Sequence, residues 1–426
     1  MTTTTLTAQE TTRPRGPGGA GIVRIAWRNL WRNRRRTWLT SGGVAFAVLL
    51  LVFAMSMQSG TFEIMVDNGA RLGLGHVQIQ HPAYLDDPRM EYTLADGDAL
   101  LALAEETEDV IMAAGRVQGF ALVSFGERSF GAQVVGVDAQ REKRWSSMPA
   151  MVSGGRYLEG PGEAFVGSVL ARNLGLVAGD EIVLLGTARD GGVAAAVAEV
   201  VGLFTSGQPE LDRSLLQIPI DDFRAAWMLE PQEVHSLVIL AGSVAESIGV
   251  ASRLEAHSDG SWRALNWRQL MPEAVQTIDL KFFGTVLIFS LVAIIVTFSI
   301  VNTFMMTVFE RTPEFGMLMA IGMRPGRIMA QLALEAMFLA VLGAAIGITL
   351  SLMVLLPLAE LGMPLPADAT EILQAYHIPD RMYPSYATGA AIASVIIMIL
   401  GTQLAALVPA LRIRGMRPVN ALRAHA

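Results

Sequence analysis

Four long apolar runs constrain this chain more than any other feature of its sequence. They extend over residues 38–58, 282–309, 328–358 and 386–411. Each reaches the roughly 20 residues that an α-helix needs to cross the hydrocarbon core of a bilayer. Roughly 220 residues separate the first run from the second, whereas the other connections are short. The pattern predicts a membrane α-helical protein with four transmembrane helices and a large extracytoplasmic α+β domain inserted between the first and second spans.

The distribution of charge predicts the orientation of these spans. Residues 1–37 contain eight Arg and one acid, whereas residues 60–281 contain 16 Lys and Arg against 31 Asp and Glu. Arginine also dominates the connection between the second and third runs and the segment after the fourth. Because positive charge concentrates in short cytoplasmic segments, we expect both termini to be cytoplasmic and residues 60–281 to lie outside. The acidic balance of 60–281 argues against binding to nucleic acid.

Composition excludes several classes of enzyme. The chain has no cysteine, so it has no disulfide framework, thiolate metal site or cysteine nucleophile. Its two lysines, Lys143 and Lys281, do not follow the glycines of a phosphate-binding loop, whose lysine must reach the β- and γ-phosphates. The six histidines are scattered, and no zinc-protease or serine-hydrolase motif is present. We therefore predict a chain that is not an enzyme and has no catalytic, cofactor-binding or metal-ligating residues.

Polar and small residues inside the apolar runs are candidates for helix packing. Glu335, Asn302 and Gln403 are costly in hydrocarbon unless they are paired. Glu335 could pair with an arginine such as Arg327 or face the protein interior, and we favour a structural role over proton transfer. Gly343 and Gly347 are spaced four residues apart, which permits close approach of a neighbouring helix.

Two further segments have amphipathic patterns. Residues 22–36 place tryptophans and arginines at helical spacing, among them Trp27, Arg28, Trp31 and Arg32. Such a helix suits the membrane interface, although a simple topology anchor would have the same pattern. Residues 310–322 are too apolar for a solvated linker and too charged to span. They predict a short amphipathic helix, either one that fits a cytoplasmic partner's groove or a plain interfacial helix.

Three segments, in order around the four runs, resemble one known family. The N-terminal segment has the sequence IAWRNLWRNRRRTWLT, the segment after the second run ERTPEFGMLMAIG, and the C-terminal segment PALRIRGMRPVNALR. The chain resembles the FtsX-like permeases of ABC transporters, a family that includes MacB and the lipoprotein-releasing LolC and LolE. The residues of the most specific motif are Glu310, Arg311, Glu314, Phe315, Gly316, Ile321 and Gly322.

The resemblance implies a division of labour between subunits. The segment at about 310–324 would be the coupling helix that docks on a separate ATPase dimer. That dimer would bind the ATP and magnesium, so this chain would bind no cofactor itself. A second permease copy or a paralogue would complete the complex, with membrane lipids around it. The location implied is the bacterial inner membrane, with the large domain in the periplasm.

The resemblance leaves the substrate open. The sequence GHVQIQHPAYLDDP after the first run is similar to the LolC/LolE branch, which favours extraction of lipoprotein or lipid from the outer leaflet. The alternatives are MacB-like efflux of peptides or small molecules and FtsX-like signalling to a periplasmic hydrolase. Extraction would have lipoprotein as substrate, and FtsX-like signalling would have a periplasmic protein as partner.

These inferences give a predicted map of the chain. Its parts in order are a disordered cytoplasmic tail (1–21), an interfacial helix (22–37), the first span (38–58), a periplasmic α+β domain (59–271), a stalk and second span (272–309), the coupling-helix loop (310–327), the third span (328–358), a periplasmic loop (359–385), the fourth span (386–411) and a cytoplasmic tail (412–426). The predicted strands within the α+β domain are 74–80, 130–137, 181–186, 215–220 and 235–240. Its predicted helices are 96–108, 163–174 and 243–256.

Overall fold

A computed structural model describes residues 19–364, 381–385 and 388–415. The chain divides into two compact units. The helical unit comprises residues 1–59, 282–362 and 383–426, and the sheet unit comprises residues 60–281 and 363–382. The predicted disordered tail (up to residue 18), most of the loop 359–385 and the C-terminal tail from residue 416 lie outside the described residues.

The helices of the described residues are, in chain order, α1 (Gly19–Arg32), α2 (Arg34–Gly69), α3 (Gly97–Glu106), α4 (Ala139–Trp145), α5 (Ser168–Leu174), α6 (Pro209–Ser214), α7 (Ile220–Trp227), α8 (Ser247–Glu255), α9 (Trp267–Leu270), α10 (Pro272–Glu310), α11 (Thr312–Ala320), α12 (Pro325–Leu361) and α13 (Thr388–Arg414). A π-helical turn at Ala70–Leu74 continues α2. The strands are β1 (Val77–Gln80), β2 (Val110–Phe125), β3 (Arg128–Val137), β4 (Val152–Gly155), β5 (Glu163–Gly167), β6 (Glu181–Thr187), β7 (Val193–Phe204), β8 (Leu215–Pro219), β9 (Ser236–Ala241), β10 (Arg263–Asn266), β11 (Met363–Pro364) and β12 (Arg381–Met382).

Four helices of the described residues are long and apolar enough to cross a membrane. They are α2 with its π-helical continuation, α10, α12 and α13. Their most apolar stretches have a mean hydropathy of 2.1 to 2.6. The four predicted apolar helices are therefore confirmed. Each helix extends beyond its apolar run, and α10 begins at Pro272, so the segment predicted as a stalk and the second run form one continuous helix.

The sheet unit is built around one large twisted sheet. Its strand order is β10-β1-β9-β2-β3-β8-β5-β7-β4, and β6 pairs with both β2 and β7. The β3–β8 and β5–β7 pairs are parallel, and the other pairs are antiparallel. Alternate residues of a strand point to opposite faces, so each strand contributes to two sets of contacts. On one face, buried side chains such as Val117 and Leu216 pack around the stacked rings of Phe223 and Trp227, whose centroids lie 4.1 Å apart.

The predicted helix at 163–174 is wrong over its first five residues. Residues 163–167 form β5, which pairs with β7 and β8, and only Ser168–Leu174 are helical. Four of the five β5 residues are buried, so the segment has no polar face that would distinguish a strand from a helix. At the end of β5, a Cβ on Gly167 would lie 2.2 Å from the backbone oxygen of Asp212, so glycine permits the close approach that ends the strand.

The sequence patterns located five strands and missed several others. The predictions at 130–137, 181–186, 215–220 and 235–240 fall on β3, β6, β8 and β9, and the prediction at 74–80 covers β1 but begins three residues early. The long strands β2 and β7 had no counterpart. In both strands alanine and glycine, residues of low strand propensity, are interspersed among Val and Phe, so the local pattern is weak. The predicted helix at 243–256 begins later, at Ser247.

Candidate functional site

The segment between α10 and α12 has a geometry fixed by its own sequence. The helix α10 ends at Glu310, and Arg311 leaves the helical conformation with φ −99° and ψ 7°. The short helix α11 follows, with a proline in its first turn where a missing N–H costs nothing. Gly322 then takes a φ of +101°, which a residue with a side chain rarely adopts. Pro325 begins α12. The motif residues thus form a separate short helix between two long ones.

This short helix, α11, has one buried and one exposed face. Phe315 is 1% exposed, and Gly316 is also buried. On the opposite face Met317 is 55% exposed and Ile321, just beyond the helix end, is 78% exposed. Glu314 lies on the same face, because residues three and four apart share one side of a helix. The buried face attaches α11 to the helical unit and leaves an apolar strip with one carboxylate facing outward.

A buried ion pair lies directly beneath this segment. The guanidinium of Arg311 donates to both carboxylate oxygens of Glu335, over 3.2 and 3.3 Å. Asn29 and Gln331 donate to the same carboxylate, over 2.7 and 3.2 Å. Arg311 is 8% and Glu335 5% exposed. Glu335 is thus buried and paired with an arginine, as suggested, but the arginine is Arg311, because Arg327 is exposed. The network joins α1, the start of α11 and α12.

A second, more exposed layer of ion pairs surrounds the buried one. Arg32 donates to Glu314 over 2.9 Å, and Arg311 donates to the other oxygen of Glu314 over 3.1 Å. Arg36 pairs with Glu310 over 3.5 Å. Partial burial opposes ionisation of Glu314, but the hydrogen bonds from the two arginines outweigh it, so its pKa lies below the ordinary value for glutamate. Glu314 is therefore a carboxylate at neutral pH.

The segment predicted to form an amphipathic helix is helical and forms α1. The four residues predicted to define it, Trp27, Arg28, Trp31 and Arg32, are all exposed. Trp27 packs edge-on against Phe338, with ring centroids 5.5 Å apart. The residues of α1 that face inward are Ala26 and Leu30. The helix therefore presents tryptophan and arginine outward while its small apolar side attaches to the helical unit.

The glycine pair in α12 lies where α12 meets α2. A Cβ on Gly343 would lie 2.7 Å from the backbone oxygen of Ser41, and one on Gly347 would lie 2.7 Å from the backbone oxygen of Ala45. Real Cβ atoms do not approach so closely, so only glycine permits this separation of the two helices.

Sequence reasoning missed three residues of the candidate site. Asn29 and Gln331 complete the buried network, and Met317 occupies the exposed strip. A signal for Gln331 was present, because it precedes Glu335 by one helical turn and shares its face. Residues 19–364, 381–385 and 388–415 contain no group of three or more His, Cys, Asp or Glu side chains that could hold a metal ion.

Comparison with known proteins gives two family matches. The family model of the MacB-like periplasmic core domain matches residues 37–257, just over half of the chain. The FtsX-like permease C-terminal model matches residues 286–418. Together the two models account for most of the described residues.

Individual relatives are distant and of two kinds. The lipoprotein-releasing system transmembrane protein LolC of Neisseria meningitidis serogroup B is 24% identical, over 73% of this chain and 75% of that protein. The pyoverdine export ATP-binding/permease protein PvdT of Pseudomonas aeruginosa is 27% identical, over 81% of this chain and 53% of its own length. The macrolide export ATP-binding/permease protein MacB of Burkholderia thailandensis is 26% identical, over 78% and 52%. The chain spans about half the length of these two ATP-binding/permease relatives.

Among solved structures, the periplasmic region of MacB from Actinobacillus actinomycetemcomitans aligns with 50% of this chain and 96% of its own, at 13% identity and a TM-score of 0.36.

Proposed function

The chain belongs to the family of FtsX-like permeases with a MacB-like periplasmic core domain, and from that premise we propose that it is the transmembrane subunit of an ABC transporter that receives motion from a separate ATPase. In this proposal the chain lies in the bacterial inner membrane with both termini cytoplasmic and the sheet unit in the periplasm. It binds no nucleotide itself, and it transmits the ATPase cycle to the sheet unit.

The observation that supports the proposal is that α11 is attached to the helical unit by one buried face and exposes the opposite face. Its exposed strip of Met317 and Ile321 offers apolar surface, which suits a groove on a partner protein. The neighbouring carboxylate of Glu314 is paired with Arg32 and Arg311. The buried pair of Arg311 and Glu335 attaches the helix to α1 and α12. A partner that displaces α11 would therefore also displace α1 and α12, because the buried network opposes movement of α11 relative to them.

A second permease copy or a paralogue would complete the assembly. The helix α10 is the least buried of the four long helices: only 6% of its most apolar stretch is buried, against 44% for α2 and 39% for α12. In a membrane this helix contacts lipid or another protein. We propose that a second permease subunit contacts part of it, with lipid covering the remainder.

For the substrate we favour lipoprotein or lipid extracted from the outer leaflet. The supporting observation is an apolar cavity of about 270 Å³ within the helical unit. Side chains of α2, α10 and α13 line it, among them Leu51, Met55, Phe289 and Met398. Such a cavity suits an acyl chain, because burial of each CH₂ is worth about 0.8 kcal/mol. MacB-like efflux and FtsX-like signalling are the alternatives.

The docking proposal is tested by charge substitution on the exposed strip. We expect Met317→Asp and Ile321→Asp to abolish stimulation of the ATPase that copurifies with the chain from native membranes in mild detergent. Both side chains are exposed, so the thermal midpoint of the chain should not change. The matched control is Val177→Asp, which alters a 63% exposed apolar residue of the sheet unit and should leave stimulation intact. Undiminished stimulation in the Met317 and Ile321 variants would contradict the docking assignment.

The substrate proposal is tested with a lipid probe. A palmitoyl phospholipid that carries a photoreactive diazirine near the end of its acyl chain should label peptides containing Met55 or Phe289. Phe289→Trp narrows the cavity and should reduce that labelling. Labelling that is confined to the lipid-facing side chains of α10, and that Phe289→Trp does not change, would favour efflux or signalling over extraction.

A further inference from the structure

The sheet unit contains a cavity lined by glutamine amides. Its volume is about 410 Å³, within the range of small-ligand sites. The glutamines that line it are Gln78, Gln80, Gln118, Gln133, Gln208 and Gln217. These are six of the ten glutamines in residues 60–281, so the amides are concentrated at this one place.

Strand register explains this concentration. In β1, Val77 and Ile79 are buried in the core of one sheet face, so Gln78 and Gln80 point to the other. Val135 of β3 lies opposite both Gln118 of β2 and Gln217 of β8. The amides of four strands, β1, β2, β3 and β8, therefore share one face. The π-helical turn after α2 and the loop containing Tyr84 also line the cavity.

The side-chain nitrogen of one of these amides is buried without a hydrogen-bond partner among the described residues. Gln80 is 2% exposed, and among the described residues nothing accepts from its side-chain nitrogen. The other amides are partly engaged: Gln133 donates to Gln118 over 3.1 Å, and Tyr157 donates to Gln217 over 2.9 Å. A buried amide nitrogen without an acceptor costs free energy, and a ligand with an acceptor group in the cavity would remove that cost.

The cavity carries no net charge to attract an ion. Its one charged lining residue, Arg116, is paired with the buried carboxylate of Glu142, and it donates to the backbone oxygen of Gly73 over 2.7 Å. The rim is apolar and reaches the surface, since Leu74 is 43% and Leu85 46% exposed. A ligand for this site would be uncharged, with amide or hydroxyl groups and short aliphatic side chains.

The shape favours an extended chain over a sugar. A second cavity of about 320 Å³ adjoins the first and shares Tyr84, Pro88, Gln118 and Gln133 with it. Oligosaccharides commonly stack on exposed aromatic rings, but Tyr84 is the only aromatic among the described lining residues of the first cavity. Its ring already stacks on His235, with centroids 5.4 Å apart. Glutamine amides, by contrast, match both the donor and the acceptor of a peptide group.

We propose that this glutamine-lined cavity binds an uncharged, extended peptide segment through its side-chain amides. The proposal goes beyond the proposed function, because it concerns equilibrium binding to the sheet unit and does not depend on docking of an ATPase. Gln80 supplies the unpaired donor, and Gln118 with Gln217 supplies further polar contacts along the chain.

The test uses the full chain in detergent and the capped peptide acetyl-Ser-Gly-Ala-Ser-Ala-Leu-amide, with binding measured by titration calorimetry. We expect saturable binding that weakens roughly tenfold in Gln80→Met, because one buried hydrogen bond to the ligand is lost. The same variant should keep or raise the thermal midpoint, because it removes an unpaired buried amide. A merely structural role for Gln80 would instead lower the midpoint. Gln118→Met should also weaken binding.

The matched control is Gln140→Met, which makes the same change at an exposed position of the sheet unit and should alter neither property. The proposal would be overturned if the peptide showed no saturable binding to the wild-type chain. It would also be overturned if the Gln80 and Gln118 variants bound the peptide as tightly as the wild type does. A Gln80→Met variant with a lowered midpoint would overturn it too, as would tighter binding of an uncharged oligosaccharide such as cellotriose than of the peptide. Loss of ATPase stimulation in the Met317 variant has no bearing on this result.

Discussion

Removing one member of the buried pair beneath α11 should destabilise the helical unit strongly. Glu335→Ala deletes a carboxylate that accepts from Asn29, Gln331 and Arg311. Removing one partner of a buried ion pair typically costs 3–5 kcal/mol, because the other charge remains buried without compensation. Arg311 keeps its contact with Glu314 at 3.1 Å, so we expect the lower end of that range, about 3 kcal/mol.

Replacing both members of the pair measures the contribution of the ion pair to stability separately from the cost of leaving one charge buried alone. Buried ion pairs exchanged for apolar residues of similar volume often lose little stability. We therefore expect the double variant Arg311→Met with Glu335→Met to lie within about 2 kcal/mol of the wild type. It should also be more stable than the sum of the two single effects, because contacting residues are coupled.

The assay is unfolding of the detergent-solubilised chain by increasing mole fractions of SDS, with the free energy of unfolding taken from each midpoint. The control is Arg32→Ala, which removes an exposed pair whose side chains are 56% and 46% exposed and should change stability by less than about 1 kcal/mol. The reasoning is refuted if Glu335→Ala behaves like this control. It is also refuted if the double variant loses the full sum of the single effects.

Three further outcomes follow from contacts elsewhere in the chain. Gly347→Ala should destabilise by about 1–3 kcal/mol in the SDS assay, because its Cβ would lie 2.7 Å from a backbone oxygen of α2, whereas Gly43→Ala, with nothing within 4 Å, should not destabilise. Gly202→Ala should lower the urea midpoint of the sheet unit, because its Cβ would lie 2.0 Å from the backbone oxygen of Arg156 at the sheet edge. Burial lowers the pKa of His235 from 6.5 to about 4. The neutral His235 therefore contributes its full stability above pH 6.5, and about 3 kcal/mol is lost as pH falls toward 4, because the unfolded chain takes up the proton more readily. In His235→Gln the urea midpoint should depend less on pH between pH 7 and 4.5.

The membrane helices were predictable because a bilayer imposes length and apolarity together. Helices and strands of soluble or fibrous proteins do not have four apolar runs of that length, so hydropathy alone located α2, α10, α12 and α13. Strands β2 and β7 were missed because alanine and glycine interrupt their valines and phenylalanines, which weakens the local strand signal. The same holds for β5, where burial on both faces erased the alternation that marks a half-exposed strand.

The candidate site was located by its motif but not by its geometry. The pattern at 310–322 predicted a short helix. Which of its residues face outward depends on the orientation of α11 about its own axis, and local sequence does not give that orientation. Phe315 and Gly316 proved to be buried, and Met317 exposed. The partner of Glu335 was also beyond sequence reasoning. Arg327 lies eight residues away on the same helix, about 12 Å along its axis, whereas Arg311 is brought close by the break after α10.

The central claim, that α11 is the surface on which a separate ATPase docks, is tested most directly by site-specific crosslinking in native membranes. The chain contains no cysteine, so Met317→Cys carries a single attachment point for a photoreactive maleimide. We predict that an ABC ATPase subunit is crosslinked at position 317, and that Val177→Cys in the sheet unit captures none. An ATPase attached at 177 and absent at 317, or attached at neither position, would contradict the claim.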